Sequence, residues 1–174
     1  MNTFDAISRR YSHKEGFLSD PVPLEDLQRI ARAGIEAPSG ANRQTVRLVI
    51  LPDRDALDPV SAVTPTYGLN TAPAAIVVMT DKTLSDDRNN FEKEDYSAAV
   101  QNMLLGAVAL GYASLWLDSP YFEAQKQREV RDALGLPEKY HIWAVLPIGK
   151  PDGEGSRREK LPLNERVFYR HYSE

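Results

Sequence analysis

The amino-acid sequence predicts an α+β or α/β fold in one domain. Short β-branched or apolar runs that suit strands alternate with segments whose apolar residues recur at helical spacing. The chain has 174 residues, of which 42% are hydrophobic and 26% charged, enough for a single domain with a sizeable core. We therefore expect residues 1–174 to form one domain in which helices and strands are interleaved along the chain.

In the first half of the chain we expect three helices and two strands. Thr3 is a suitable N-cap for a short helix that directs Phe4 and Ile7 inward and ends near Arg10. After an irregular stretch, a proline and two acids at positions 23–26 open a second helix that continues to Ile35. Beyond it the sequence predicts a strand over Val46–Leu51, a short helix over Asp53–Val63 and a strand over Ala74–Met79.

The second half is expected to be organised around one long helix. The polar segment Lys82–Glu94 precedes it, and the acids Glu92, Glu94 and Asp95 indicate a solvated helix start. The helix itself, Asp95–Gly111, is apolar on nearly all sides, which indicates a buried central helix, and its small residues would allow another helix to approach closely. The pattern then predicts a strand over Ser114–Leu117, a helix over Ala124–Leu134, a strand over Ile142–Ile148 and a charged, glycine-rich loop over Gly149–Lys160.

The C-terminal tail, Leu161–Glu174, carries aromatic and apolar side chains that a small monomer would have difficulty burying. They are Val167, Phe168, Tyr169 and Tyr172. Tails of this kind often pack on a neighbouring subunit, so we expect residues 161–174 to contact a partner.

The composition excludes several classes of protein. A formal net charge of −4 and a pI of about 5.5 argue against a general nucleic-acid-binding protein. The chain has no cysteine, which excludes disulfides, thiolate catalysis and cysteine-bound metals, and its three histidines lack metal-site spacing. The N-terminus has no apolar signal-peptide stretch, and the longest apolar run, around Met103 to Leu117, is too short to span a bilayer. We expect a cytoplasmic protein with no nucleic-acid, membrane or metal partner.

Two groups of cations near opposite ends of the chain indicate a site for an anion. The first is the run Arg10-Tyr11-Ser12-His13-Lys14, and the second contains Arg158 and Lys160. Arg and Lys make strong charge-assisted hydrogen bonds to phosphate oxygens, so a phosphate on a small cofactor suits this pattern. The alternative interpretation is that these side chains are solvated surface charges.

Two further segments could border a ligand. The loop Ala37–Gln44, with sequence APSGANRQ, combines small residues with the hydrogen-bonding side chains of Ser39, Asn42 and Gln44. The segment Ser114–Pro120 ends an apolar run in Asp-Ser-Pro and could present backbone groups to a planar heterocycle. A polar connecting loop and a core tryptophan are the alternative interpretations. No nucleophile elbow, P-loop or dinucleotide fingerprint is present, which suggests that a cofactor performs any reaction.

Taken together, these motifs resemble the FMN-dependent nitroreductase family over almost the full length of the chain. The family's elements are matched, in order, by Arg10–Lys14, by the APSGANRQ loop, by Ala72–Val78, by Gln101–Leu105 with Ala109–Gly111, by Pro147–Pro151 and by Arg158–Pro162. The resemblance implies an α+β fold with a central mixed sheet flanked by helices, and an intertwined homodimer with FMN at the interface.

The resemblance also implies a role for each site residue. Tyr11 and Gln44 are candidate cofactor contacts. Arg10, Ser12, Arg158 and Lys160 would hold the phosphate and ribityl chain, and Lys14 would lie near the pyrimidine edge of the flavin. There a cation stabilises the negative charge that develops on reduction. Bordering the ring would be Trp116, Leu117, Asp118 and Ser119, with a backbone N–H directed at N5. The second subunit would contribute Pro38, Ser39, Gly40 and Asn42.

Three departures from the family pattern limit this transfer. His13 occupies the variable position between Ser12 and Lys14, and no role is assigned to it. Many relatives have Pro-Trp after the glutamine, whereas this chain has Thr45-Val46, so the surroundings of the ring should differ. Residues 82–94 form a short version of a region that is often expanded over the substrate, so we expect an open pocket.

The sequence therefore predicts an FMN-dependent oxidoreductase with a ping-pong mechanism. NADH or NADPH would donate the hydride, and an electron-poor small molecule, such as a nitroaromatic or a quinone, would accept it. The alternatives are a flavin-binding protein without turnover, used for sequestration or sensing, and a structural dimer without cofactor. Neither the physiological acceptor nor the choice between NADH and NADPH follows from the sequence.

Overall fold

A computed structural model of the chain describes residues 1–85 and 90–170. The helices are α1 (Thr3–Arg9), α2 (Leu24–Ile35), α3 (Arg54–Val63), α4 (Tyr67–Thr71), α5 (Glu92–Ala109) and α6 (Ala124–Leu134). The strands are β1 (Val46–Leu51), β2 (Ala74–Asp81), β3 (Ala113–Ser114) and β4 (Tyr140–Gly149). Single 3₁₀ turns lie at Gly40–Asn42, Lys82–Leu84, Ser119–Phe122 and Leu163–Glu165.

The four strands form one sheet in the order β1-β2-β4-β3, and every pairing within the described residues is antiparallel. The predicted α+β class is confirmed, but the expected mixture of parallel and antiparallel pairs is wrong for this part of the chain. The reason lies in the strand order. β2 and β3 run in the same direction but are not neighbours, because β4 lies between them in the opposite direction.

The core has two layers, one on each face of the sheet. All eight residues of β2 are buried, and they alternate between the layers as a pleated strand requires. Ile76 and Val78 pack in the layer that holds α2 and α5, whereas Ala75 and Val77 pack in the layer that holds α3 and α6. Each fully buried Val or Ile side chain contributes roughly 1.5–3 kcal/mol.

Helix α5 is the buried central helix that the sequence predicts, and α2 packs closely against it. A Cβ on Gly106 would lie 3.5 Å from the Ala33 Cβ, and the Asn102 amide donates to the Ala33 carbonyl at 3.1 Å. The small residues of α5 therefore allow the approach of a helix from the same chain.

The start of α5 differs from the prediction. The helix begins at Glu92 rather than Asp95, and Glu92 and Asp95 are only 5% and 3% exposed, so the expectation of a solvated acidic start is wrong for these two residues. Both carboxylates are buried because hydroxyl groups donate to them, Thr80 to Glu92 and Thr45 to Asp95. The predicted polar segment 82–94 lies partly outside the described residues.

Local details of three other elements also differ. The side chain of Asn2, not Thr3, caps α1 by accepting from the Asp5 N–H at 3.0 Å. The third strand has two residues instead of the predicted four, because the chain leaves the ladder after Ser114 and contacts β4 again only through the pair Leu117 and Val145. Helix α4 was not predicted, since its five residues are too few for a helical period to be visible.

Several apolar side chains expected to be buried are exposed in the single chain. Phe4 and Ile7 of α1 are 83% and 47% exposed, because this short helix buries only Ala6. Val167, Phe168 and Tyr169 are 40%, 46% and 79% exposed, and Tyr172 lies outside the described residues. Among the described helices, none combines the length and apolar character needed to cross a membrane.

Candidate functional site

The two cation groups, which are almost 150 residues apart in sequence, line one cavity of about 300 Å³. Its lining consists of Arg10, Tyr11, Ser12, Lys14, Glu15, Ser156, Arg157, Arg158 and Lys160. The predicted convergence of the N-terminal run with Arg158 and Lys160 is therefore present in the folded chain.

Backbone contacts bring the two segments together. The irregular stretch after α1 runs beside the end of β4, where the Leu18 N–H donates to the Lys150 carbonyl at 2.9 Å and the Asp152 N–H donates to the Gly16 carbonyl at 2.9 Å. Further along, the Arg157 guanidinium donates to the Ser8 carbonyl. These contacts carry the charged loop from the end of the sheet back to the C-terminal end of α1.

Gly155 permits a close approach between the two segments. A Cβ at this position would overlap the Tyr11 ring, so any other residue would push the charged loop away. The Gly155 N–H donates to the Tyr11 hydroxyl, and burial, together with the nearby Glu15 carboxylate, raises the pKa of Tyr11. Tyr11 thus remains a neutral phenol that fixes the loop carrying Arg158 and Lys160.

His13, to which the sequence analysis assigned no role, is a structural residue. Its side chain is fully buried, its Nε2 lies 2.7 Å from the Gly16 carbonyl oxygen, and its ring packs against Phe17 with 4.8 Å between centroids. Its backbone N–H also donates to the Ser114 carbonyl at 3.0 Å. Because His13 is anchored inward, its neighbours Ser12 and Lys14 are exposed and line the cavity.

The cavity carries a strong excess of positive charge. Five cationic side chains line it and only one carboxylate, that of Glu15. Within residues 1–85 and 90–170, no ion pair engages Arg10, Lys14, Arg158 or Lys160. Unpaired, converging cations at this density favour binding of an anion such as a phosphate.

Arg157 is a site residue that the sequence analysis missed. It lines the cavity beside Arg158 and also holds the charged loop on Ser8. The double arginine in the sequence was the available signal, but the prediction rested on the family motif, which begins at Arg158.

A second cavity of about 500 Å³ adjoins the first and shares Arg10, Ser12, Arg157 and Lys160 with it. It extends to Leu104 of α5 and to Trp116, whose buried indole N–H has no hydrogen-bond partner among the described residues. An unsatisfied buried donor is uncommon and costs roughly 1–3 kcal/mol unless something pairs with it. A cationic end beside an apolar end with a spare donor fits a phosphorylated aromatic molecule such as FMN.

Trp116 is held in place by a row of aromatic rings. Its ring meets Tyr96 edge to face with 6.0 Å between centroids, and Tyr96 stacks on Trp143 at 4.7 Å with nearly parallel planes. The Trp143 indole N–H donates to the Thr80 hydroxyl at 2.8 Å. The indole at the edge of the cavity therefore rests on the core of the protein.

The other predicted ring-bordering residues do not line either cavity. Leu117 is held away because its N–H and carbonyl both pair with Val145, at 3.2 and 2.9 Å, so its N–H is not available to a ligand. Asp118 is the N-cap of the 3₁₀ turn Ser119–Phe122, and Ser119 is exposed. Of the predicted segment Trp116–Ser119, only Trp116 lines the adjoining cavity.

The APSGANRQ loop has an unusual and well-defined backbone. Ala41, Asn42 and Gln44 have φ values of 51°, 55° and 52°, a conformation that costs a residue other than glycine roughly 1–2 kcal/mol. The loop is closed by the Ser39 hydroxyl, which accepts from the Gln44 N–H at 2.9 Å. The hydrogen-bonding side chains that the sequence analysis singled out thus act partly within the loop itself.

This loop does not line the cationic cavity of its own chain. Pro38, Ser39 and Gln44 border a separate cleft of about 820 Å³ between α2 and β1, whereas Gly40 and Asn42 border none of the cavities described here. Helix α5 separates the two sites. Asp95 and Ala99 line the cleft, and Gln101 and Leu104 line the cationic side. At 3.6 residues per turn, these two pairs lie on nearly opposite faces of α5.

The fold and the site together define an α+β protein with a cavity suited to a phosphorylated aromatic ligand. The chain belongs to the nitroreductase family, whose profile matches residues 7–65 and 62–150.

Individual relatives agree with this membership. The chain is 36% identical over 132 residues to a protein of Archaeoglobus fulgidus named NADH dehydrogenase/NAD(P)H nitroreductase, covering 75% of each chain. A crystal structure of a protein of the same name from Parabacteroides distasonis superimposes with a TM-score of 0.85 at 29% identity, over 99% of this chain and 100% of that one. A nitroreductase from Desulfovibrio desulfuricans in complex with FMN matches with a TM-score of 0.80 at 28% identity, over 99% of both chains.

Proposed function

We propose that this protein is an FMN-dependent oxidoreductase that uses NADH or NADPH as its electron donor. The observation that carries the proposal is the cavity lined by five cations beside the unsatisfied indole N–H of Trp116. The family membership supports it, as does the similarity to a relative named for NAD(P)H and to one solved with FMN.

The residues of the cavity divide into two functions. Arg10, Ser12, Arg158 and Lys160 would hold the phosphate and ribityl chain, with Tyr11 and Gly155 keeping the two segments together. Lys14 is exposed and reaches the same cavity, where its ammonium would stabilise negative charge on the ring system. The Trp116 indole N–H would find an acceptor on the bound cofactor or through a water molecule.

Bound FMN would supply hydride transfer, taking the hydride from NAD(P)H and passing it to an electron-poor acceptor in a ping-pong mechanism. The chain contributes orientation and electrostatics, and proximity accounts for much of the rate. Nitroaromatics and quinones are the acceptor classes we propose, because a planar, electron-poor ring can stack where the nicotinamide has left.

A homodimer with shared sites explains why the predicted loop and the cationic cavity lie apart in one chain. Asp95 and Ala99 lie on the face of α5 that borders the loop, and Leu104 lies on the face that borders the cationic cavities. A second copy would bring Pro38–Gln44 to the cationic cavity without any rearrangement of α5. The exposed Phe4 of α1 and Tyr169 of the tail are apolar surface that such an interface would cover.

We propose that the tail, residues 161–174, packs on the partner subunit. Deleting everything after Asn164 removes Val167, Phe168 and Tyr169, which are 40–79% exposed in the single chain. An obligate interface buries more than about 2,000 Å² and is largely apolar, so we expect the truncated protein to be monomeric or aggregated and to lack flavin. Light scattering in line with size exclusion, with absorbance at flavin wavelengths, measures both properties. Glu165→Gln leaves the apolar side chains in place and should remain a yellow dimer, whereas a soluble, yellow truncated monomer would refute the proposal.

The central test is spectroscopic. We expect the purified protein to absorb between the near ultraviolet and the blue, to release FMN rather than FAD on heating, and to lose its flavin absorbance when NADH or NADPH is added without oxygen. Addition of a nitroaromatic or a quinone should restore the absorbance. Bound flavin that neither nucleotide reduces would favour the non-catalytic flavin-binding alternative, and a colourless protein that does not bind added FMN would favour a structural dimer. The cytoplasmic location stays a prediction from the composition.

A further inference from the structure

One buried carboxylate connects helix α5 to the APSGANRQ loop. Asp95 is 3% exposed and lies in the first turn of α5. Its Oδ1 accepts from the Gly40 N–H at 2.7 Å, and its Oδ2 accepts from the Thr45 hydroxyl at 2.6 Å. The two bonds hold the strained part of the loop on both sides, because Gly40 precedes the residues with positive φ and Thr45 follows them.

The loop needs this restraint because its backbone is in an unfavourable conformation. Between the two donors lie Ala41, Asn42 and Gln44, all with positive φ. Such a conformation persists only when the surrounding structure over-determines it, and strained loops of this kind cluster at ligand sites. A further contact comes from Phe91, whose ring lies against Gly40 so closely that a Cβ there would overlap it.

We propose that Asp95 is a positioning residue, which keeps Pro38–Gln44 in the conformation that contacts the cofactor of the partner subunit. Thr45 assists it by donating its hydroxyl to the Asp95 carboxylate. The proposal rests on the proposed function. The Thr45 hydroxyl supplies the hydrogen bond that holds this side of the loop to α5.

The choice of substitutions follows from the hydrogen bonding. Asp95→Asn is a poor test, because the threonine hydroxyl can rotate and accept from the new amide. Thr45→Val keeps the shape and removes the hydroxyl, which leaves one buried carboxylate oxygen without its donor. Asp95→Ala leaves the donors of Gly40 and Thr45 both unpaired. Thr45→Ser retains the hydroxyl and is the rescuing variant.

Asp26→Ala is a matched control. The Asp26 carboxylate accepts from the Tyr112 hydroxyl at 2.8 Å, so it is also a helix carboxylate bonded to a hydroxyl. It lies in the first turn of α2, whereas the loop follows the end of that helix, about 14 Å away along the helix axis.

Two measurements on the purified full-length protein test the proposal. The first is amide hydrogen exchange of residues 39–45, which reports the loop whether or not flavin is bound. The second is the dissociation constant for FMN, measured by titrating flavin-free protein and following fluorescence quenching. Thr45→Val and Asp95→Ala should each speed exchange in the loop and weaken FMN binding about ten-fold, whereas Thr45→Ser and Asp26→Ala should change neither by more than about two-fold.

The outcomes distinguish three statements: that Asp95 restrains the loop (the tether), that this restraint supports FMN binding, and that the protein binds FMN at all. Unchanged loop exchange in Asp95→Ala would overturn the tether itself. Faster exchange with an unchanged FMN dissociation constant would make Asp95 a structural residue only and overturn its positioning role. If the wild-type protein does not bind FMN, the proposed function fails, and the positioning role toward FMN fails with it even when the exchange data confirm the tether.

Discussion

Replacing Arg10 or Lys160 by alanine is expected to weaken FMN binding about ten- to a hundred-fold. Both side chains line the cationic cavity as well as the adjoining one, and neither is engaged in an ion pair within residues 1–85 and 90–170. A charge-assisted hydrogen bond contributes roughly 1.5–3 kcal/mol, and each 1.4 kcal/mol is a factor of ten in affinity. Titration of flavin-free protein with FMN measures the effect.

The matched control for these variants is Arg128→Ala. Arg128 is an exposed cation on α6, in the layer on the other face of the sheet from α5. Its removal changes the net charge by the same amount, so it separates a local contact from a general loss of positive charge. If Arg10→Ala and Lys160→Ala bind FMN as tightly as Arg128→Ala does, the cations are ordinary solvated surface charges.

Mixed dimers should show that each flavin site is built from two chains. One copy would carry Arg10→Ala with Lys160→Ala, and the other Gly40→Val, whose side chain would collide with Phe91 and displace the loop. Each homodimer has two damaged sites and should bind little FMN. In the mixed dimer, a shared-site arrangement places both defects in one site and leaves the other site intact, so about half of the wild-type FMN content should return.

The same experiment distinguishes shared sites from the alternative in which each chain forms a complete site by itself. If each chain builds its own site, every site of the mixed dimer carries one defect, and no flavin returns. Differently tagged copies allow the mixed dimer to be purified, and a mixed dimer of wild-type and Gly40→Val chains measures the loss from a single defect. The predicted recovery follows from the opposite positions of Asp95 and Leu104 on α5.

Sequence reasoning predicted well the helices and strands whose bounds are set by residues within the segment itself. The bounds of α2, β1 and α6 agree with the prediction because their periodicity and terminal residues lie within the segment itself, as with Gly135, which ends α6 at a φ of 62°. Short elements were predicted poorly. The two residues of β3 and the five of α4 contain too little pattern to be recognised.

Burial of charged residues was the main point at which sequence reasoning failed. Glu92 and Asp95 have the composition of a solvated helix start, and in most helices that interpretation holds. Here each receives a hydroxyl donor from a residue more than ten positions away, Thr80 and Thr45 respectively. These hydrogen bonds compensate the cost of burying a carboxylate. The donors are distant in sequence, so only the folded chain shows which hydroxyl pairs with which carboxylate.

What the sequence by itself determined is the chemistry available to this protein: two cation groups, a polar loop of small residues, a central apolar helix and the absence of cysteine. Only the tertiary structure decided how these parts meet. It brought Arg157 into the cavity, made His13 a core residue and set the loop on the face of α5 opposite to the cations. The physical reason is that residue types and local periodicity are properties of a single segment. Cavities, the hydrogen-bond donors to buried carboxylates and the environment of each helix face arise from packing between segments that are distant in sequence.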